Sequence, residues 1–233
     1  MSAPESTCGS LDRPAEAESG QSDRPEFLEQ QHLAEVRVAA DPRPALEKLA
    51  RLYMDWERWA QAFQCLNRRL TLAQEAEEEA RCRYMLGLVH EHFGDFPAAA
   101  AHYRRGLALE PTNPTVWYFL NNLLAYCLQA GGDFQQAEFY AHRAVEFEPR
   151  RGNAFKNLGL ALKGQGRLAE AARAFIAGTR ADPSDGRAAC LLDNLLAEHP
   201  EMLPDFGSDL AECHRLVQGI HELITKRLRS NAT

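Results

Sequence analysis

Histidine and cysteine are the side chains of this protein best suited to chemistry, because both bind transition metals and a thiolate is a nucleophile. The segment HEHF places His90 and His92 two residues apart. On a helix, side chains at that spacing point in different directions and cannot share a metal ion, and no cysteine or carboxylate lies at ligand spacing around His90. Cys213 and His214 are adjacent and diverge for the same reason, which disfavours a nucleophile and base pair. The sequence therefore predicts no metal site and no catalytic dyad.

Two further motifs are better explained by structure than by chemistry. The segment GQG, Gly164 to Gly166, could be taken for the start of a phosphate-binding loop, but the strand that such a motif requires does not precede it. The acidic run from Glu75 to Ala80 is typical of a solvated helix face. We therefore predict no catalytic residue and no cofactor, and an enzyme is the weakest of the functional alternatives.

The composition limits the classes of protein and of binding partner that are compatible with this chain. With 45% apolar residues the chain can bury a substantial core, and its net charge of −7 disfavours a nucleic acid partner. The six cysteines form no CxxC pair, which favours free thiols in a reducing compartment. Because there is neither a basic and apolar leader nor a run of about eighteen apolar residues, we expect a cytoplasmic protein without membrane insertion.

Helical periodicity dominates the chain from Glu26 onward. Apolar residues recur at intervals of three and four, strand-like alternation is missing, and Gly, Pro and Asp separate the periodic segments, so the sequence predicts an all-α protein. Asn113 before Pro114 predicts one helix start, and Asp133 followed by Gln136 has the spacing of a capping box. Outside the repeats described next, we predict a flexible acidic tail over 1–25, a leading helix over 26–40, a linker and capping helix over 199–229 with the helix beginning near Asp209, and a free end over 230–233.

A repeat with a period of 34 residues organises the rest of the chain. Its units are 43–76, 80–113, 114–151, which is four residues longer, 152–185 and a partial fifth unit over 186–198. In the 152–185 unit the apolar and small positions are Phe155, Leu158, Gly159, Leu162, Ala171, Phe175, Gly178 and Pro183. Glycine within a helix costs about 0.5–1 kcal/mol relative to alanine, so its recurrence at Gly87 and Gly159 indicates a packing demand.

This pattern resembles the tetratricopeptide repeat over about residues 43–198. In that family each unit is a pair of antiparallel helices, with small residues at the eighth and twentieth positions and a proline at the end of the second helix. The resemblance implies an all-α, right-handed α-solenoid of about five helix hairpins with a C-terminal capping helix. It also implies that Gly159 and Ala171 lie on the two helices of one hairpin where these helices touch.

The resemblance further implies a concave groove, lined by the first helix of each hairpin, that binds a peptide segment. The groove positions carried over to this sequence are Lys48, Arg51, Arg81, Tyr84, Asn122, Tyr126, Asn153, Lys156, Asn157, Lys163, Arg187 and Asn194. We expect this groove to be more basic than the rest of the molecule, and its asparagines offer donors and acceptors to a peptide backbone. Tyr84 and Leu88 stand where a subgroup that clamps chaperone tails needs Lys and Asn, so we do not expect chaperone-tail binding.

The leading functional hypothesis is a non-enzymatic adaptor or scaffold that binds an extended or helical, mildly acidic segment of another protein in this groove. The alternative is a structural element that self-associates through Trp117, Tyr118 and Phe119, or through its last helix. It also remains open whether the polar groove positions are merely solvated and whether the acidic tail occupies the groove.

Overall fold

A computed structural model describes residues 25–230, which are helical throughout apart from short connections. The predicted acidic tail lies outside the described residues except for Pro25, as does the predicted free end after Ser230. The helices are α1 (Pro25–Val38), α2 (Arg43–Asp55), α3 (Trp59–Thr71), α4 (Ala76–His92), α5 (Phe96–Leu107), α6 (Pro114–Ala130), α7 (Phe134–Phe147), α8 (Gly152–Gly164), α9 (Leu168–Ala181), α10 (Arg187–Glu198) and α11 (Leu203–Ser230).

Helix starts and turns follow from the local sequence. The Asn113 side chain accepts a hydrogen bond from the amide of Thr115 at the start of α6, as predicted, and Asp133 accepts one from the amide of Gln136 at the start of α7. In the first four hairpins the turn between the two helices contains one residue with positive φ. Glycine supplies it in three hairpins, with φ values of 74° at Gly94, 82° at Gly132 and 76° at Gly166. In the first hairpin Glu57 takes this conformation, with φ 59°.

The two helices of a hairpin approach each other most closely where glycine faces an aromatic ring. A Cβ atom added to Gly159 would overlap the Phe175 ring, and one added to Gly87 would overlap the Tyr103 ring. Ala171 is also fully buried, but the ring next to Gly159 belongs to Phe175, one turn further along α9. The packing demand on Gly159 is therefore confirmed, and its cause is the aromatic ring rather than Ala171.

The hairpins stack into a solenoid that curves toward its first helices. Helix α4 contacts α6, α6 contacts α8, and α8 contacts α10. Among the described second helices, α3, α5, α7 and α9 make no comparable contacts with one another, and only the last pair, α9 and α11, is in such contact. Because the stack is tighter on the first-helix side, that side is concave. The predicted all-α solenoid of helix hairpins is confirmed.

Helix α11 differs from the other second helices in length. It begins at Leu203, six residues before the predicted start near Asp209, because Pro204 lies in the first helical turn, where proline is tolerated. Its first half packs on α9 and α10 through the buried Phe206 and Cys213. Although α11 has 28 residues, neither it nor another helix of the described chain has the length and apolar character needed to cross a bilayer.

Candidate functional site

All twelve residues predicted to line the groove lie on first helices, so we call this surface the first-helix face. Helix α2 carries Lys48 and Arg51, α4 carries Arg81 and Tyr84, α6 carries Asn122 and Tyr126, α8 carries Asn153, Lys156, Asn157 and Lys163, and α10 carries Arg187 and Asn194. Their exposure and their partners differ widely, and these differences decide which of them could contact a ligand.

Most of the predicted basic residues already form ion pairs within the chain. The pairs join Nζ of Lys48 to Glu35 at 3.8 Å, Nη2 of Arg51 to Glu47 at 2.9 Å, Nζ of Lys163 to Glu198 at 2.6 Å, and Nη2 of Arg187 to Asp185 at 2.6 Å. The positive charge expected of this face is therefore largely neutralised by its own carboxylates. Among the six predicted cations, Arg81 and Lys156 form no ion pair with any described residue.

Lys156 is one of two partly buried predicted cations of the first-helix face that lack a carboxylate partner among the described residues, and Arg81 is the other. Burial and, to a lesser extent, the charge of Arg187 lower the pKa of the Lys156 ammonium group to about 8, while Asp185 opposes the shift. One turn earlier on α8, the Oδ1 atom of Asn153 is buried and has no hydrogen-bond partner among the described residues. A cation and an amide oxygen without partners thus lie on the same helix at adjacent turns.

Aromatic rings flank these two residues. The Tyr84 and Phe119 rings stack with their centroids 5.6 Å apart. The Arg151 guanidinium lies over Tyr118 at 4.8 Å and over Phe119 at 5.2 Å from the ring centroids. The pKa of the Tyr118 phenol is raised mainly by burial, and the Arg151 charge and the Asn153 side chain oppose this shift. We call Tyr118, Phe119, Arg151, Asn153, Lys156 and Arg187 the α8 cluster.

Sequence reasoning did not anticipate Arg151. It lies in the connection before α8, outside the helical positions that the repeat pattern assigns to the groove. Its stacking on Tyr118 and Phe119 holds the start of α8 against α6. An arginine placed just before a first helix, one repeat after an aromatic pair, is the signal that would have identified it.

Asn122 and Asn157 bind each other beneath the surface. Each is only 2% exposed. The Nδ2 atom of Asn157 donates to Oδ1 of Asn122 at 2.9 Å and to its carbonyl oxygen at 3.1 Å. This pair joins α6 to α8, so its amides are not presented at the surface for direct contact with a docked peptide backbone. Asn194 and Tyr126 are exposed, and Tyr126 packs edge-on against Phe96.

A buried arginine in the first hairpin also shapes this face. Arg69 is 3% exposed and its Nη2 atom lies 2.6 Å from Glu47. The equivalent position is small in the next three units, where Gly106, Ala144 and Gly178 occupy it. Glu47 therefore binds two arginines, Arg69 and Arg51, and has no free oxygen for a ligand.

The histidines of α4 and α5 pack against other rings. His92 stacks on Trp59 with centroids 4.1 Å apart, and His90 stacks on His102 at 5.2 Å. Burial, followed by the charges of His90 and Arg83, lowers the pKa of His102 to about 4. In the part of the chain that the structure describes, His, Cys, Asp and Glu form no group of three or more suited to a metal ion. The segment GQG forms the turn between α8 and α9.

Comparison with known proteins agrees with this geometry. Models of the tetratricopeptide repeat match residues 80–123 and 122–186. Among solved structures, YrrB, described as a TPR protein with an unusual peptide-binding site, superposes with a TM-score of 0.60 at 20% identity over 83% of this chain and 99% of its own. MamA from Desulfovibrio magneticus RS-1 superposes with a TM-score of 0.57 at 16% identity over 80% of this chain and 97% of its own.

Curated relatives match over a shorter span. Small glutamine-rich tetratricopeptide repeat-containing protein 2 of Mycosarcoma maydis is 34% identical over 91 residues, which are 39% of this chain and 25% of that protein. Photosystem I assembly protein Ycf3 of Prochlorococcus marinus is 29% identical over 96 residues, which are 41% of this chain and 55% of that protein. The chain thus spans a quarter of the first relative and about half of the second.

The repeat matches and the stacked hairpins together show that residues 80–186 are tetratricopeptide repeats. Proteins built from these repeats act in protein–protein interactions.

Proposed function

We propose that this protein is a non-enzymatic adaptor whose first-helix face binds an extended or helical, mildly acidic segment of another protein. The observation that carries the proposal is the partly buried Lys156, which has no carboxylate partner among the described residues. A buried charge without a partner is costly, so its presence on a concave surface favours a ligand that supplies the counter-charge.

The α8 cluster suits a carboxylate on a peptide. The Lys156 ammonium would donate to the carboxylate of the segment. The stacked Tyr84 and Phe119 rings offer an apolar surface beside it. Asp185 already binds Arg187, so the nearby Lys156 is a cation available to the ligand.

The proposal predicts how binding depends on pH. Lys156 must be protonated to bind a carboxylate, and its pKa in the free protein is about 8. The other charged groups that act on it are Arg187 and Asp185, and neither changes charge near pH 8. Affinity for an acidic peptide should therefore fall as the pH rises above about 8.

A random-peptide display library tests the proposal directly. Selection on the wild-type protein should enrich Asp and Glu, and Lys156→Met should weaken the selected peptides about ten- to a hundredfold, because a charged hydrogen bond is worth about 1.5–3 kcal/mol. Lys163→Met is the matched control, since Lys163 already pairs with Glu198. Equal losses in the two variants, or selected peptides without acidic residues, would refute the proposal.

The alternative of self-association through the aromatic run has less support. Tyr118 is 2% exposed, Trp117 stacks on Phe147 at 5.4 Å, and Phe119 stacks on Tyr84. These rings pack against other side chains of the same chain, which leaves little of their surface for contact with a second copy. The last helix, by contrast, exposes apolar side chains.

We also propose the cytoplasm as the compartment. The support is that none of the five described cysteines forms a disulfide, and three of them are buried as small apolar side chains.

A further inference from the structure

The last hairpin, α10 and α11, ends the solenoid with an unfilled groove. The groove has a volume of about 520 Å³ and lies between the first half of α10 and the middle of α11. Its lining includes Gly186, Ala189, Val217, Ile220 and Ile224. Helix α11 contributes three apolar side chains, Val217, Ile220 and Ile224, together with His214, Gln218 and His221. Covering the apolar part of this lining would be favourable, because it removes apolar surface from water.

The contacts of α10 and α11 show which position of the repeat this groove occupies. A Cβ atom on Gly186 would touch Val217, as one on Gly152 would touch Gly178 in the preceding hairpin. Val217 is therefore the structural equivalent of Gly178.

A second contact supports the same equivalence. His214 lies 2.6 Å from Asp193, and in the preceding hairpin Phe175 lies against Gly159. Asp193 is the repeat equivalent of Gly159, so His214 is the equivalent of Phe175. Both contacts give the same offset between α9 and α11.

In the earlier hairpins this position contacts the first helix of the next repeat. A Cβ atom on Gly106 would overlap Leu120 of α6, and one on Gly178 would touch Ala188 of α10. Val217 faces the position that the first helix of a next repeat would occupy, and no helix of the described chain lies there. The groove is thus a site for one more first helix, which in this architecture runs antiparallel to the second helix beside it.

Helix α11 also extends beyond the end of the hairpin. The equivalent of the last residue of α9, Ala181, is Ile220, so α11 continues for a further ten residues to Ser230. Leu223 and Ile224 on this extension are 64% and 51% exposed. The chain therefore presents an open helix site and an unpartnered apolar helix at the same end.

We propose that this end is a homodimer interface in which the extension of α11 from each copy fills the helix site of the other. A two-fold axis across α11 makes the two copies of this helix antiparallel, which is the direction that the site requires. Ile220, at the end of the hairpin, and Ile224, on the extension, both line the groove, so the groove and the segment proposed to fill it form one continuous surface that can pair with its own copy.

The charges of α11 favour the antiparallel arrangement. Its first half carries Asp205, Asp209, Glu212 and Arg215, of which Asp209 and Glu212 also pair with Arg180, and its last turns carry Lys226, Arg227 and Arg229. Antiparallel pairing brings the basic end of one copy toward the acidic half of the other, whereas parallel pairing would align like charges.

Light scattering on the full chain, coupled to size-exclusion chromatography, tests the interface. We expect a dimer for the wild-type protein and a monomer for Ile224→Glu, which places a charge in the apolar groove. Phe139→Glu is the matched control, because Phe139 is a similarly exposed apolar residue on α7, at 55%, and should leave the dimer intact. A monomeric wild-type protein, or a dimer that survives Ile224→Glu, would overturn the proposal.

Spin labels test the antiparallel geometry. With a rise of about 1.5 Å per residue, labels at Arg229 in two copies that cross near Ile220 should be separated by about 25 Å or more along the helix axis. Labels at Glu222 should be much closer together. Equal distances at the two positions would indicate parallel pairing and contradict the proposed site.

Discussion

The close approach of α8 and α9 gives a quantitative test of the packing that builds the solenoid. Gly159→Ala adds one methyl group at a position where three atoms of the Phe175 ring already occupy the space. Phe175 is fully buried, so its ring has little freedom to move away. The substitution therefore strains the centre of the hairpin that carries the α8 cluster.

The expected loss follows from two opposing effects. Overpacking a buried site costs about 1–3 kcal/mol, while replacing a helical glycine by alanine gains about 0.5–1 kcal/mol. The net result should be a decrease of about 1–2 kcal/mol in the free energy of unfolding. For a chain of this size that corresponds to a decrease of about 2–8 °C in Tm.

Calorimetry with a matched control separates packing from helix propensity. Gly207 is also helical, but a Cβ atom there would meet nothing within 4 Å, so Gly207→Ala should raise the stability by about 0.5–1 kcal/mol. When Phe175→Leu is combined with Gly159→Ala, the smaller side chain should recover part of the stability that Gly159→Ala loses. If Gly159→Ala stabilises the protein as much as Gly207→Ala does, the glycine–ring explanation is refuted.

Three further predictions concern backbone strain and buried charge. Glu57→Gly should stabilise the protein by about 1 kcal/mol in urea unfolding, because Glu57 has positive φ where three other hairpins have glycine; no gain would contradict this. The pKa of Lys156 is lowered by folding, so the unfolded chain binds more protons and stability should rise as the pH increases from about 8 to 10.5. Lys156→Met should abolish that rise, and an unchanged profile would argue against a partly buried ammonium. His102 has a folded-state pKa of about 4, so stability should fall as the pH decreases from 6.5 toward 4, and His102→Gln should reduce the slope; equal slopes would assign the acid sensitivity to other groups.

The helical hairpins could be predicted because the sequence repeats its packing constraints. Gly87 and Gly159 recur at the same offset, and the caps at Asn113 and Asp133 mark helix starts locally. The partner of Gly159 could not be predicted with the same certainty, because Ala171 and Phe175 lie one turn apart on the same side of α9. Only the relative rotation of the two helices decides which side chain fills the gap.

The groove was harder to predict than the fold. The repeat pattern identified positions on first helices, but it does not show which cations have partners in other elements. Lys163 pairs with Glu198, 35 residues away, and Lys156 has no such partner. The burial of Asn122 and Asn157 likewise depends on how closely α6 approaches α8, which no local pattern encodes.

The start of α11 was predicted too late for a related reason. Pro200 and Pro204 suggest a linker, but Pro204 falls within the first turn of the helix. Proline at that place is compatible with a helix, and the packing of Phe206 on the core decides the outcome.

The proposal that the first-helix face binds a partner is tested most directly by hydrogen–deuterium exchange, measured with and without a peptide selected from the display library. We predict that the peptide slows exchange in α6, α8 and α10, with the largest effect around Asn153 and Lys156. Protection confined to the second helices, α5, α7 and α9, would place the binding surface on the opposite side of the solenoid and contradict the proposal.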